Sequence, residues 1–197
     1  MLDAAVAVFS QRGYHAASMD DIAERAGISK PMVYAYLGAK EDVFLACVQR
    51  EATRLMEGIA GVIDPALRPD DQLWAGLRAY FTFVGEHRDG WSVLYRQARV
   101  QEPFAGELAE IRGRMIEAVT ALLGGVLNAE GPEVPAAEVS AMAHALVGAG
   151  ESLADWLVDH PDESPEATAA RLMNFIWMGA ANLLRGHTWR PASQPSP

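Results

Sequence analysis

The sequence predicts an all-α protein, and three observations carry that prediction. Alanine is abundant. Apolar residues recur at spacings of three and four rather than two. Short breaks such as "HRDG", "EGPEVP" and "HPDESP" punctuate the helical pattern. A chain of 197 residues is long enough to bury a proper core without disulfide or metal staples. The net charge of −10 and pI near 4.9 exclude broad electrostatic adhesion to nucleic acid or anionic membrane, so any nucleic-acid contact must be local. One cysteine, Cys47, rules out an intrachain disulfide framework and suits a reducing compartment. No run approaches the roughly 18 apolar residues of a membrane helix, so a soluble, cytoplasmic protein is expected, with no membrane partner.

The first helix starts at Leu2, sets Leu2, Val6 and Phe9 on one face, and stops at Gly13. The second opens at "SMDD", where Ser18 caps and Asp21, three residues on, completes a capping box; it runs to about Ala26. Gly27 turns the chain, and Ser29 caps a third helix. Pro31 is tolerated there because first-turn amides have no intrahelical partner. Gly38 ends that helix. A long amphipathic helix follows from Lys40 to about Ile63, and the two prolines of "DPALRPDD" break it. Further helices are predicted over 70–87, 91–99, 104–129, 136–159 and 165–187, and a disordered tail over 190–197.

Arginine outnumbers lysine 14 to 2, and the two lysines, Lys30 and Lys40, bracket the third helix. At 100° per residue Val33 and Leu37 share its buried face, while Pro31 and Ala35 point the opposite way between Met32 and Tyr34. A small apolar centre edged by tyrosines and lysines suits a helix laid against base edges, with its rim on phosphates. The short preceding helix and its Gly turn make this a helix-turn-helix.

The stretch from Ala4 to Val48 resembles the DNA-binding domain of the tetracycline-repressor (TetR) family of bacterial regulators. The resemblance rests on Phe-x-x-x-Gly-Tyr ending at Tyr14, Ser-x-x-Asp-Ile-Ala from Ser18, Ala-Gly-Ile-Ser from Ala26, Val-Tyr-x-Tyr from Val33 and Lys-Glu-Asp from Lys40. It implies that Ser29, Lys30, Pro31 and Met32 sit at the reading end, with Lys30, Pro31 and Met32 against base edges. Tyr34, Tyr36 and Lys40 would hold phosphates, and Ser18 would add a phosphate hydrogen bond. Met32 and Ala35 depart from the residues common at those positions. Ala39 replaces the usual Ser cap, a loss of about 1 kcal/mol on ordinary capping values. No basic arm precedes the first helix, which implies either an upstream start or fewer phosphate contacts.

The resemblance further implies a DNA-binding domain over 1–48 and a helical effector-binding and dimerisation domain over 49–189. Trp74, Leu77, Phe81 and Val84 make one apolar stripe, and Phe104 through Met115 to Val126 another. Both fit an effector cavity or ordinary core. The candidate effector residues are Trp74, Phe81, Trp91, Tyr95, Arg96, Met115 and Trp177. For the dimer, Ala141, Ala145, Gly148 and Ser152 make a small-residue strip beside the polar line His144, Glu151, Asp155 and Asp159. Met178, Gly179 and Asn182 lie on the last helix near Arg171, Asn174 and Arg185. The charged lines fit pairing between protomers or plain solvation.

Enzyme chemistry finds no support. The five histidines show no HExxH spacing, Cys47 has no recognisable partner, and no Gly-rich phosphate loop is present, so neither cofactor nor metal is expected. The expected function is a homodimeric regulator, a repressor, that binds double-stranded operator DNA and is released by a small-molecule effector. The competing reading is a helical ligand-binding or scaffold protein with weak or lost DNA affinity.

Overall fold

A computed structural model describes residues 1–101, 104–127 and 134–184. Among the described residues there is no strand. The helices are α1 (Leu2–Ala16), α2 (Met19–Ala26), α3 (Lys30–Leu37), α4 (Lys40–Ala60), α5 (Pro69–Glu86), α6 (Arg88–Trp91), α7 (Phe104–Leu127), α8 (Ala136–Asp159) and α9 (Pro165–Leu184). Between α6 and α7 the chain winds through a π-helical segment, Ser92–Gln97, and a 3₁₀ turn, Ala98–Val100. A single helix over 91–99 was the sequence expectation. The wider turn replaces it and leaves Val93, Leu94, Tyr95 and Ala98 buried. The predicted tail over 190–197, with His187, lies outside the described residues.

The N-terminal helices form as their local signals dictate. Ser18 and Asp21 exchange the reciprocal bonds of a capping box, Asp21 N–H to Ser18 Oγ at 3.1 Å and Ser18 N–H to Asp21 Oδ2 at 3.1 Å. Gly13, Gly27 and Gly38 take positive φ, which at Gly27 makes the left-handed end of α2. The helical run of α1 is interrupted at Gly13 and resumes for one turn to Ala16. Ala39 does lack a side-chain cap, but the Asp42 carboxylate accepts its N–H at 2.8 Å, so the start of α4 is served by the third residue of the helix instead.

One contiguous apolar core runs from Ala5 to Leu172 and does not divide at residue 48. Phe9, Tyr14, Phe44 and Phe104 pack stacked, edge-on and tilted with ring centroids 4.5–6.1 Å apart, fastening α1 and α4 to the start of α7. Beyond them α5 packs most extensively on α9, and α7 on α8. Glu51, almost fully buried on α4, accepts from Arg50 Nη2 at 2.7 Å and from Arg54 Nη1 at 3.3 Å; Arg50 also reaches Asp3 of α1. Gly90 of α6 lies against that carboxylate, where a Cβ would collide with it.

Candidate functional site

The outer face of α3 is open. Met32, Tyr34 and Tyr36 are exposed by 43%, 47% and 68%, and Ser29, Lys30, Pro31 and Ala35 are exposed beside them, whereas Val33 is fully buried beneath. Six of these residues sit in the two turns of α3, so its backbone alone brings them onto one surface. Ser29 makes no side-chain cap bond. Lys30 Nζ bonds Asp20 Oδ2 at 2.8 Å on the surface, and that bond raises its pKa. A phosphate arriving there must compete with Asp20.

Two expected phosphate groups are otherwise engaged. Lys40 Nζ donates to the carbonyls of Tyr14, His15 and Ala17 at 2.8, 3.2 and 3.1 Å and lies 4.7 Å from the centre of the Tyr14 ring. All three of its protons are committed, and the ammonium closes the C-terminal turn of α1, where helix carbonyls lack partners. Ser18 Oγ donates to Asp21 Oδ2 at 2.7 Å, and Arg12 pairs with Asp21 at 3.0 Å. The hydroxyl bond is the leading cause of the lowered pKa of Asp21.

Behind this unit lies a cavity of about 410 Å³, within the usual range for small-molecule sites. Met56, Ile59 and Ala60 of α4, Ile63 just after it, Leu73, Gly76, Leu77 and Tyr80 of α5, and Tyr95 of the π segment form part of its wall. The remainder comes from Met115, Ala118, Val119, Leu122 and Leu123 of α7 and from Leu146, Val147, Gly150 and Glu151 of α8. Of the expected effector residues, Tyr95 and Met115 are in this lining; Trp74, Phe81, Trp91, Arg96 and Trp177 are not. The reason on α5 is a rotation of the stripe. Residues 73, 76, 77 and 80 face the cavity, and Trp74 and Phe81, one position on, pack into the adjoining core. Trp177 packs on that core from α9. Tyr80, which sequence reasoning missed, belongs to the i, i+3, i+4, i+7 set counted from Leu73, a signal visible in the sequence.

Trp91 and Arg96 instead hold the region together. Trp91 is buried, stacks on Tyr95 at 4.0 Å and donates from Nε1 to Asp155 Oδ1 at 2.9 Å. Arg96 binds Asp155 at 3.2 Å and Asp159 at 2.9 Å, and Arg112 binds Glu151 at 2.8 Å. The acidic line on α8, expected to face another protomer or solvent, therefore pairs within the chain. Arg171 likewise pairs with Glu163 at 2.8 Å. Among the described residues no group of three or more His, Cys, Asp or Glu side chains is placed to hold a metal ion.

The π segment joins the cavity to the N-terminal unit: Tyr95 lines the cavity, and two residues on, Gln97 Nε2 donates to the carbonyl of Phe9 in α1 at 2.6 Å. On the far side of α8, Ala141, His144, Ala145 and Ser152 are exposed and Gly148 is half-buried. On α9, Phe175 and Met178 are exposed by 78% and 68%, an apolar pair one turn apart. The side chains at Gly179 and Asn182 lie outside the described residues, as does Arg185. No helix among the described residues is long and apolar enough to cross a membrane.

Comparison with known proteins matches both parts of the chain. The family model described as "Bacterial regulatory proteins, tetR family" covers residues 1–47, and that described as "Tetracyclin repressor-like, C-terminal domain" covers residues 69–179. The HTH-type transcriptional activator FasR of Mycolicibacterium smegmatis is 27% identical over 93% of this chain and 82% of its own. A TetR-like transcriptional regulator from Rhodococcus sp. RHA1 is 44% identical, with a TM-score of 0.77 over 91% of this chain and 93% of that one. The regulator FadR from Bacillus subtilis, solved with stearoyl-CoA, shares the fold at 18% identity, with a TM-score of 0.75 over 89% of this chain and 95% of that one.

Proposed function

The chain belongs to the TetR family and is a helix-turn-helix DNA-binding transcriptional regulator; from that premise we propose that it is a homodimeric repressor, released from operator DNA when an apolar small molecule fills the cavity. The observation that carries this reading is that α4 belongs to both units. Its first half buries Val43, Phe44, Cys47 and Val48 and packs on α1 and α3, and its second half gives Met56, Ile59 and Ala60 to the cavity wall. A ligand that fits one arrangement of that wall better than another shifts the orientation of the reading helices. Two such helices must match successive major grooves about 34–36 Å apart. In this reading residues 1–48 are the reading unit and 49–189 the effector and dimer unit, with Pro31, Met32 and Lys30 toward base edges and Ser29, Tyr34 and Tyr36 toward phosphates. The dimer face is the outer strip of α8 and α9: Ala141, Ala145, Gly148 and Ser152 with Met178, Gly179, Asn182 and Phe175. FadR, with stearoyl-CoA in its structure, supports a ligand with an elongated apolar acyl chain for the shared fold.

The test is anisotropy of fluorescent DNA from upstream of the protein's own gene at fixed 0.15 M salt, titrated with methyl decanoate while calorimetry follows occupancy. Loss of DNA affinity on occupancy is expected. Unchanged affinity at full occupancy would remove the effector role. FasR is named an activator, and that favours a second reading in which the bound protein raises transcription. Transcription in vitro separates the two: the repressor lowers output until ligand is added, and the activator raises it.

A further inference from the structure

The effector reading above leaves the ligand's chemistry open, and one buried atom narrows it. Among the lining residues only Tyr80, Tyr95 and Glu151 carry polar side chains. Glu151 is bound by Arg112, and the ring of Tyr95 is stacked on Trp91. The Tyr80 hydroxyl is buried with no hydrogen-bond partner. Its ring is held edge-on by Phe81 and Trp91 at centroid distances of 5.0 and 5.7 Å, and it packs beside Gly150 of α8. The hydroxyl is closed off among these groups, so an acceptor in the cavity meets it only when the ring or α8 shifts. Leaving a buried O–H unpaired is unfavourable, so its retention in a largely apolar wall calls for a partner that arrives from outside.

The charges around it decide what that partner is. Desolvation, then Tyr95, Glu151 and Asp155, hold the Tyr80 pKa far above its ordinary value, so the group stays a donor. The nearby cations are spent, Arg112 on Glu151 and Arg96 on Asp155 and Asp159. A carboxylate head would be buried beside acids with no free cation. An ammonium head would have to displace Arg112 from Glu151. An uncharged acceptor meets neither obstacle.

We propose that Tyr80 Oη is the reading group of the cavity and donates its hydrogen bond to the uncharged carbonyl oxygen of an apolar ester, thioester or ketone. This rests on the effector reading. The experiment compares methyl decanoate, decanoic acid and decylamine by calorimetry at pH 7 on the full chain and on Tyr80→Phe. The expected result has two parts. The ester binds more tightly than the acid or the amine, and Tyr80→Phe weakens it about five- to tenfold, the worth of one neutral hydrogen bond. The same substitution raises the melting temperature of the ligand-free protein, because it deletes an unpaired buried hydroxyl. If the acid or the amine binds best, or the ester binds Tyr80→Phe as tightly as the parent, the proposal fails and the cavity reading stands. A lower melting temperature for Tyr80→Phe would mean that the hydroxyl already had a partner, such as an ordered water, and would also overturn it. Binding of none of the three to either protein would remove both the proposal and the effector reading.

Discussion

The reading unit and the cavity unit are built from similar helices, yet they use their surfaces in opposite ways. In α1–α3 what matters is what is left outside: Pro31, Met32, Tyr34 and Tyr36 are exposed on a helix of two turns whose only fully buried side chain is Val33. In α4, α5, α7 and α8 what matters is what fails to meet inside, since apolar stripes that would close as core stand apart around about 410 Å³. An exposed face is a property of one helix. A cavity is a property of several, and depends on their separation. That is why the first kind of site can be tested by changing single side chains, and the second by asking which neighbours respond.

The largest expected effect would break the link of both units to a second protomer. Phe175→Asp places a charge in the exposed apolar pair of α9. Since Phe175 is already 78% exposed, the change should leave stability within about 0.5 kcal/mol. Sedimentation should then show monomers, and operator affinity should fall toward the non-specific level, about a thousandfold or more, because one half-site is lost. A variant that stays dimeric and binds operator normally places the interface elsewhere.

The two lysines sharpen the contrast within the reading unit. Lys40→Met removes the donors to three carbonyls at the end of α1 and should lower unfolding stability by about 1.5–3 kcal/mol, measured in urea. It should leave the salt dependence of DNA binding unchanged. Lys30→Ala should do the reverse, with stability nearly unaltered and operator affinity reduced several-fold. If Lys40→Met were fully stable and flattened the salt slope by about one, its ammonium would be a phosphate contact after all.

How much of this was legible in the sequence follows the same division. The capping box at Ser18, the glycine turns and the exposed face of α3 were readable because each is decided within about ten residues. Lys40 was not, because a lysine just after a turn looks the same whether it faces phosphate or three carbonyls. The cap for Ala39 was in plain view as Asp42, but its use depends on backbone geometry at Gly38 and Ala39. The π segment escaped because one residue of extra winding is invisible over so short a run. Trp74 and Phe81 were set in the cavity where Leu73, Gly76 and Tyr80 belong. The apolar arc of α5 is wide enough to serve two neighbours, and periodicity alone cannot say which one recedes.

The connection between the two regions has its own, smaller test. Gln97→Ala removes the 2.6 Å bond from the π segment to the carbonyl of Phe9 and leaves the cavity lining intact. Ligand affinity of the free protein should hardly change. The factor by which ligand weakens DNA binding should fall by about fivefold, the worth of one neutral hydrogen bond spent on coupling. Equal coupling in the variant would assign transmission to α4 alone.

The smallest expected effect lies where the two regions share one core. Cys47 is fully buried on α4 between Val43, Phe44 and Val48, with Sγ 3.9 Å from the carbonyl of Leu2, and burial pushes its thiol up to about 12. Only the thiolate reacts, so at pH 7 almost none of the reactive form is present even before access is considered. A thiol-disulfide reagent should therefore label the native protein no faster than it unfolds, and mild oxidant should leave operator binding unchanged. Addition of ligand should not alter this if the seam between α1 and α4 moves as a packed unit. Rapid labelling of the ligand-free protein would show that α1 opens from α4 on its own, and the two regions would then be joined more loosely than their common core implies. Labelling only in the presence of ligand would instead locate the conformational change at that seam, between Leu2 and Cys47, rather than along the π segment.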